Sequence, residues 1–284
     1  MGTLRAKMEQ DLALRGVSAR TGQNYLRFVG DLARHYGRAP DTLTLPEVEA
    51  YLVHLRQVRQ LTPETVATMV NGLRFCYHTT LGRPRTEFHI PAPRPSRKEP
   101  EVLSRQEVAR LLARTTHRRD RMLLMTTYAA GLRVSEVVGL QVGHLDSERM
   151  VIRIERGKGP RDRYALLTEP LLTELRAYWR VARPAPWLFP GQRPGRPVTL
   201  RTALRAYVAA KHRAGITKRG GIHSLRHAFA THLIEAGVDL HTVQCLLGHR
   251  HTETTTRYLH LAPRALARAG SRCDLLAFRK VAGH

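Results

Sequence analysis

The sequence predicts a mainly α-helical protein of two domains, the second of which carries a small β-hairpin. Three observations lead there. Helical segments opened by capping residues recur in both halves, a proline- and arginine-rich break separates them, and one stretch of the second half changes to strand-forming composition. The 284 residues allow one large domain or two ordinary ones, and a 42% hydrophobic content is enough to bury a real core.

The first half reads as four short helices. An opening segment runs from about Leu4 to Leu14, and Ser18 caps a second through Tyr25, Phe28 and Leu32 to Gly37. Thr44, Pro46 and Glu47 form a capping box ahead of Val48, Tyr51 and Leu52, in which hydroxyl and carboxylate satisfy backbone N–H groups that the helix start leaves unpaired. Thr62 with Pro63 opens the fourth, which ends near Gly82. From Arg83 to Pro100 come Pro84, Pro91, Pro93, Pro95 and Pro100, which no helix can accommodate. The expected division is a helical domain over 1–85, a linker over 86–100 and a second domain over 101–284. Arg94, Arg97 and Lys98 give the linker a positive charge suited to a phosphate backbone, although a solvated linker reads the same way.

Ser104 and Glu107 repeat the capping box before Val108, Leu111 and Leu112. Arg119 to Ala129 and Val134 to Leu140 read as helices. Met150 to Glu155 and Arg163 to Leu167 are rich in β-branched and apolar residues, and G-K-G-P at Gly157 to Pro160 joins them into a hairpin tipped by Lys158. From Thr168 the chain is helical again, with breaks at Pro184 to Pro197, around Gly215 to Gly221, at Gly237 and at Gly248. Asp239 caps the helix that Gly248 closes.

Lys and Arg total 47 against 23 Asp and Glu, a net charge of +24. Such a chain repels itself when compact, and a polyanion that sheds counterions on binding compensates it. Nucleic acid is the first reading and a membrane surface the rival. No apolar run of about 18 residues exists, and the N-terminus lacks the apolar core of an export signal. The expectation is a cytoplasmic protein without a membrane partner. Cys76, Cys245 and Cys273 are odd in number and form no C-x-x-C pair, so they read as reduced thiols, with a catalytic thiol as the sharper alternative.

Four features carry chemistry: A-A-G-L-R-V-S-E around Arg133, G-K-G around Lys158, H-S-L-R from His223 to Arg226, and L-G-H at Leu247 to His249 ahead of T-T-R-Y-L-H around Tyr258. Singly, each has a plain structural explanation. Arg133 can pair with Glu136, Lys158 can be a solvated turn residue, His223 and Arg226 can cap a helix, and Tyr258 can be a core aromatic. Together, in this order and spacing, they resemble the tyrosine recombinase (phage integrase) family, and the likeness covers nearly the whole chain.

The resemblance implies a two-domain DNA clamp, a SAM-like helical core-binding domain followed by a catalytic domain. It implies an Xer-like or transposon-borne recombinase without an arm-binding domain, since the core-binding helices begin almost at once. Arg133 and Arg226 would neutralise the scissile phosphate, whose geometry planar guanidinium groups match. Tyr258 would be the nucleophile, with His223 as its base or a hydrogen-bond partner of the phosphate. Lys158 would protonate the departing sugar oxygen, and His249 would donate to the phosphate. On the helical domain S-x-x-T-x-x-x-Y at Ser18, Thr21 and Tyr25 fits, and the implied DNA contacts are Arg20, Tyr25, Arg74, Arg97 and Lys98. Two departures stand out. Ala67, Thr68 and Met69 occupy a helix where relatives often carry basic residues, and His144 stands where they commonly have an acidic one.

The bond energy is kept in a phosphotyrosine, so no nucleotide cofactor is expected. Nor is a metal, although His223 with His227 and His249 with His251 have chelating spacing. The partner is double-stranded DNA. The resemblance implies a homotetramer on two DNA sites, or an assembly shared with a partner recombinase. The apolar residues Leu266, Leu275, Leu276 and Phe278 would pass a C-terminal helix to a neighbour or pack on their own protomer. Two competing readings are a type IB topoisomerase and a DNA-binding protein that no longer cuts.

Overall fold

The computed structural model describes residues 2–93, 101–155, 163–248 and 275–276. They belong to two compact units, Met1–Glu99 and Pro100–His284. The first unit is helical: α1 (Gly2–Leu14), α2 (Ala19–Tyr36), α3 (Leu45–Gln57) and α4 (Pro63–Arg74). The caps act as the sequence predicts. Ser18 accepts from the Thr21 N–H, and the Thr44 N–H donates to Glu47 at 2.7 Å. Gly37 closes α2 at φ +62°. Gly72 lies where α4 crosses α2, and a Cβ there would come within 3.2 Å of the Tyr25 backbone and the Phe28 ring. Glycine weakens a helix interior, and here close helix packing offsets that cost.

Two features differ from expectation. The fourth helix does not run evenly to Gly82. It widens into a π-helical turn over Phe75–Thr80, closed by a Leu81 N–H to Cys76 carbonyl bond of 2.9 Å. The segment expected to be linker begins by packing: Phe88 and Ile90 are buried in this unit's core. Phe88 stacks on Tyr77 with ring centroids 4.2 Å apart, and Arg83 lies over both rings. Prolines forbid a helix there, but they do not forbid extended chain from burying alternate side chains.

The second unit opens with α5 (Arg105–Ala113), held by the Ser104–Glu107 capping box, and α6 (Arg118–Ala129), almost wholly buried. Then come α7 (Val134–Val138) and a three-stranded antiparallel sheet of β1 (Leu145–Asp146), β2 (Val151–Ile154) and β3 (Arg163–Leu166). The hairpin expected from composition is β2–β3, with Ile154 opposite Arg163. The added strand, β1, is two residues long and too short to show a periodicity. Helices α8 (Glu169–Ala182), α9 (Leu200–Arg213), α10 (His223–Glu235) and α11 (Leu240–Leu247) complete the described part. Asp239 accepts from the Thr242 N–H at 2.9 Å and Gly248 ends α11 at φ +63°.

Leu275 is 2% exposed within this unit's core, with Leu276 packed against it. Leu266 and Phe278 lie outside the described residues. His144 fills the place of an acidic residue in a concrete way. Its Nδ1 accepts from the Gln141 N–H at 3.3 Å, as a capping carboxylate would, and its Nε2 faces Glu155 at 3.5 Å.

Candidate active site

Three sequence-predicted residues, Arg133, His223 and Arg226, come together in the second unit. Lys158, His249 and Tyr258 lie outside the described residues. Arg133 precedes α7, where Gly131 at φ +60° turns the chain against α10; a Cβ on it would lie 2.5 Å from the Phe229 ring. The α7 capping residue is Glu136, whose carboxylate accepts from the Arg133 N–H at 2.8 Å and from Arg133 Nη1 at 2.9 Å. The structural pairing of Arg133 with Glu136 is therefore made.

Arg226, in the first turn of α10, is 7% exposed. Its Nη1 donates to the Gly131 carbonyl and its Nη2 to the Leu247 carbonyl, both at 2.6 Å, tying the Arg133 turn to the end of α11 beside Gly248. Among the described residues, two of its five guanidinium N–H donors are engaged. Burial, with the neighbouring charges of Arg133 and Arg163, pulls its pKa down to about 10, so it is still cationic at neutral pH.

His223 is exposed at the start of α10. Partial burial and the positive charges of His227, Arg226 and Arg133 lower its pKa below the usual histidine value. A neutral imidazole able to take a proton is thereby favoured.

Sequence reasoning missed Arg163. It was read only as the first residue of a strand, yet its side chain is 10% exposed and its Nη2 meets Glu136 Oε2 at 2.6 Å. One signal was available: Arg163 shares the sheet face of buried Ala165, and an arginine on the inward face of a short strand needs a partner. Burial raises the Glu136 pKa, but hydrogen bonds and charge from Arg163 and Arg133 outweigh that and hold it below the ordinary carboxylate range. Among the described residues, then, three guanidinium groups converge on one ionised carboxylate. The excess is two positive charges, which suits the dianionic transition state of an attacked phosphodiester.

The other candidates are less concentrated. Arg20 is exposed and Tyr25 is half-buried, its ring 5.9 Å from Phe75. Arg74 is half-buried, and its Nε and Nη2 both donate to the Ile90 carbonyl, at 3.0 and 2.6 Å, so its fork braces the chain after the π turn. Arg97 and Lys98 lie outside the described residues. Cys76 is fully buried and burial pushes its thiol up to about 12, which makes it a poor nucleophile. Cys273 is outside the described residues. Among those described, no three His, Cys, Asp or Glu side chains gather as metal ligands, and no helix is long and apolar enough to cross a membrane.

A cationic cluster able to take an oxyanion, in a mixed unit that follows a helical one, fits an enzyme that acts on phosphodiesters. Residues 101–264 match the phage integrase family and residues 4–87 the phage integrase N-terminal SAM-like domain. The chain belongs to the phage integrase family, and it is a tyrosine-type site-specific recombinase with DNA as its partner. It is 42% identical to y4qK of Sinorhizobium fredii, a candidate integrase/recombinase, over 97% of this chain and 90% of that one. It is 32% identical to the tyrosine recombinase XerA of Thermococcus kodakarensis, over 95% of each. The fold is shared with a lambda integrase dimer bound to a core site (TM-score 0.74, 18% identity, covering 89% of this chain and 96% of that one).

Proposed function

We propose that this recombinase cuts each strand by attack of the Tyr258 phenol on the scissile phosphorus. The P–O5′ bond breaks, the 3′-phosphate stays on the tyrosine, and a 5′-hydroxyl is released that later attacks back to rejoin a strand. The phenolic proton passes to His223, whose lowered pKa keeps it neutral and receptive. Lys158 gives a proton to the departing O5′. Arg133 and Arg226 neutralise the nonbridging oxygens, and His249 adds a hydrogen bond. The observation that carries this reading is the convergence of Arg133, Arg163 and Arg226 on Glu136 alone, which leaves positive charge unspent.

The bonds exchanged are equivalent in energy, so the reaction draws on no nucleotide. The helical domain over 1–85 grips the duplex, aided by Arg20 and Tyr25, with Arg97 and Lys98 of the linker along the backbone. Four protomers act on two DNA sites, in the cytoplasm.

The test uses a pool of nicked duplexes with randomised centres, in which cutting beside the nick frees a short fragment and traps the adduct. Wild-type protein should give an SDS-resistant adduct whose DNA can be sequenced, and Tyr258→Phe should give none. An adduct that persists in Tyr258→Phe overturns the assignment. Exchange between two plasmids bearing the trapped sequence, as opposed to relaxation of one, separates recombination from topoisomerase action.

A further inference from the structure

We infer that Arg163 is a positioning residue for strand cleavage, acting through Glu136 on Arg133 and through the end of α11 on the chain that continues to His249. This rests on the phosphate role proposed for Arg133. Arg163 begins β3, and it touches two other segments, α7 just after Arg133 and the end of α11. Toward α7, its Nη2 and Nε donate to the two oxygens of Glu136 at 2.6 and 3.3 Å. Toward α11, its Nη1 donates to the Leu246 carbonyl at 3.1 Å. One planar fork thus joins three pieces of chain that are distant in sequence.

The division of labour on Glu136 explains why this matters. Each carboxylate oxygen takes one bond from Arg133 and one from Arg163: Oε1 from Arg133 Nη1 and Arg163 Nε, Oε2 from the Arg133 N–H and Arg163 Nη2. Arg226 Nη1 stands 3.9 Å from Oε2, outside hydrogen-bond range. Without Arg163 the carboxylate lacks a donor on each oxygen and its nearest unused cation is Arg226. Turning toward Arg226 would loosen Arg133 and occupy donors that the phosphate needs.

A second, independent observation lies on the other side of the arginine. The α11 cap passes directly over its stem, so that a Cβ at Gly248 would lie 2.6 Å from Arg163 Cδ. At φ +63° glycine is the residue of choice in any case, and here the space is also taken. Next in sequence after Gly248 is His249, so the stem of Arg163 lies against the last described residue before it.

The full-length protein with the nicked duplex trapped by wild type provides the test. Covalent adduct formation at saturating DNA, gel-shift affinity and melting temperature are measured for Arg163→Lys, Arg133→Lys, the double variant and Gly248→Ala. Lysine keeps the charge but cannot make the fork. The expected result is that Arg163→Lys cuts about 10²-fold more slowly, the loss typical of a small misplacement, with affinity unchanged. The double variant should cut no more slowly than Arg133→Lys, because both changes disable one unit. Gly248→Ala, which pushes on Arg163 from above, should slow cutting and add nothing to Arg163→Lys.

Full-rate cutting by Arg163→Lys overturns the inference, because a simple ion pair is what lysine restores. So do rate losses that multiply in the double variant, or a loss that vanishes well below the variant's melting temperature. Absence of any adduct from wild type overturns the recombinase mechanism itself, and that outcome differs from each of these.

Discussion

Both units hold arginines that are at least partly buried, and they use them in opposite ways. In the helical unit Arg74 donates to the Ile90 carbonyl, while Arg83 donates to the Leu43 carbonyl at 3.0 Å and covers the Tyr77 and Phe88 rings. Those cations are spread apart and spent on backbone and aromatic faces, where they fasten the chain after the π turn. In the catalytic unit Arg133, Arg163 and Arg226 crowd one carboxylate, and burial with the charges of the other two lowers the basicity of Arg226. A half-buried arginine whose donors are spent on backbone and rings reads as packing, and like charges held together against their repulsion are what an anion site needs.

That contrast can be broken by mutation, beginning with the largest effect. Arg133→Lys should lower the adduct-forming rate roughly 10²- to 10³-fold, as loss of one oriented donor to a developing charge does, with gel-shift affinity kept. Equal losses in both assays would make Arg133 a docking residue of the kind the helical unit holds. Glu136→Gln leaves three guanidinium groups uncompensated and should destabilise the catalytic unit by about 3 kcal/mol in urea unfolding. The sign with pH follows from its lowered pKa: wild type has this stability above the usual carboxylate range and loses it as pH falls through the lower folded value. The Gln variant should lack that acid slope.

Gly131→Ala drives a methyl into the Phe229 ring at a left-handed φ and should cost about 2 kcal/mol, measured by thermal melting. An unchanged melting temperature would show that the turn before Arg133 is loosely held. Arg83→Gln should cost about 1 kcal/mol, with the cutting rate at saturating DNA and 25 °C unaffected. A slower rate would erase the distinction between the two sets of arginines. The smallest effect is a displaced pH profile. The acid limb of adduct formation should lie below the usual histidine value and move up toward it in His223-intact Arg133→Gln, since one of the charges that depress His223 is gone.

The sequence made local structure legible wherever a cap announces it. Ser18, Thr44 with Glu47, Ser104 with Glu107, Asp239 and Gly248 all bound helices as read, and the change of composition at Met150 located the hairpin. Tertiary decisions were not legible. Nothing local distinguishes the widened turn at Phe75 from an ordinary helix, or tells that Phe88 and Ile90 pack while their proline neighbours punctuate. The site divides the same way. Arg133, His223 and Arg226 stand in recognisable strings, but the hub role of Glu136 and the reach of Arg163 to Leu246 exist only once α7, β3 and α11 meet.

The surplus of cations over Glu136 also bears on how the protein behaves without its substrate. A small oxyanion that enters the folded cluster and has no comparable place in the unfolded chain raises stability by RT ln(1 + [anion]/Kd). Sulfate or phosphate in a storage buffer would therefore steady the empty catalytic unit and also act as a competitor at the moment of cutting. Melting temperature should climb, and adduct yield fall, with the same half-maximal concentration of that salt, over and above the response to chloride of equal ionic strength.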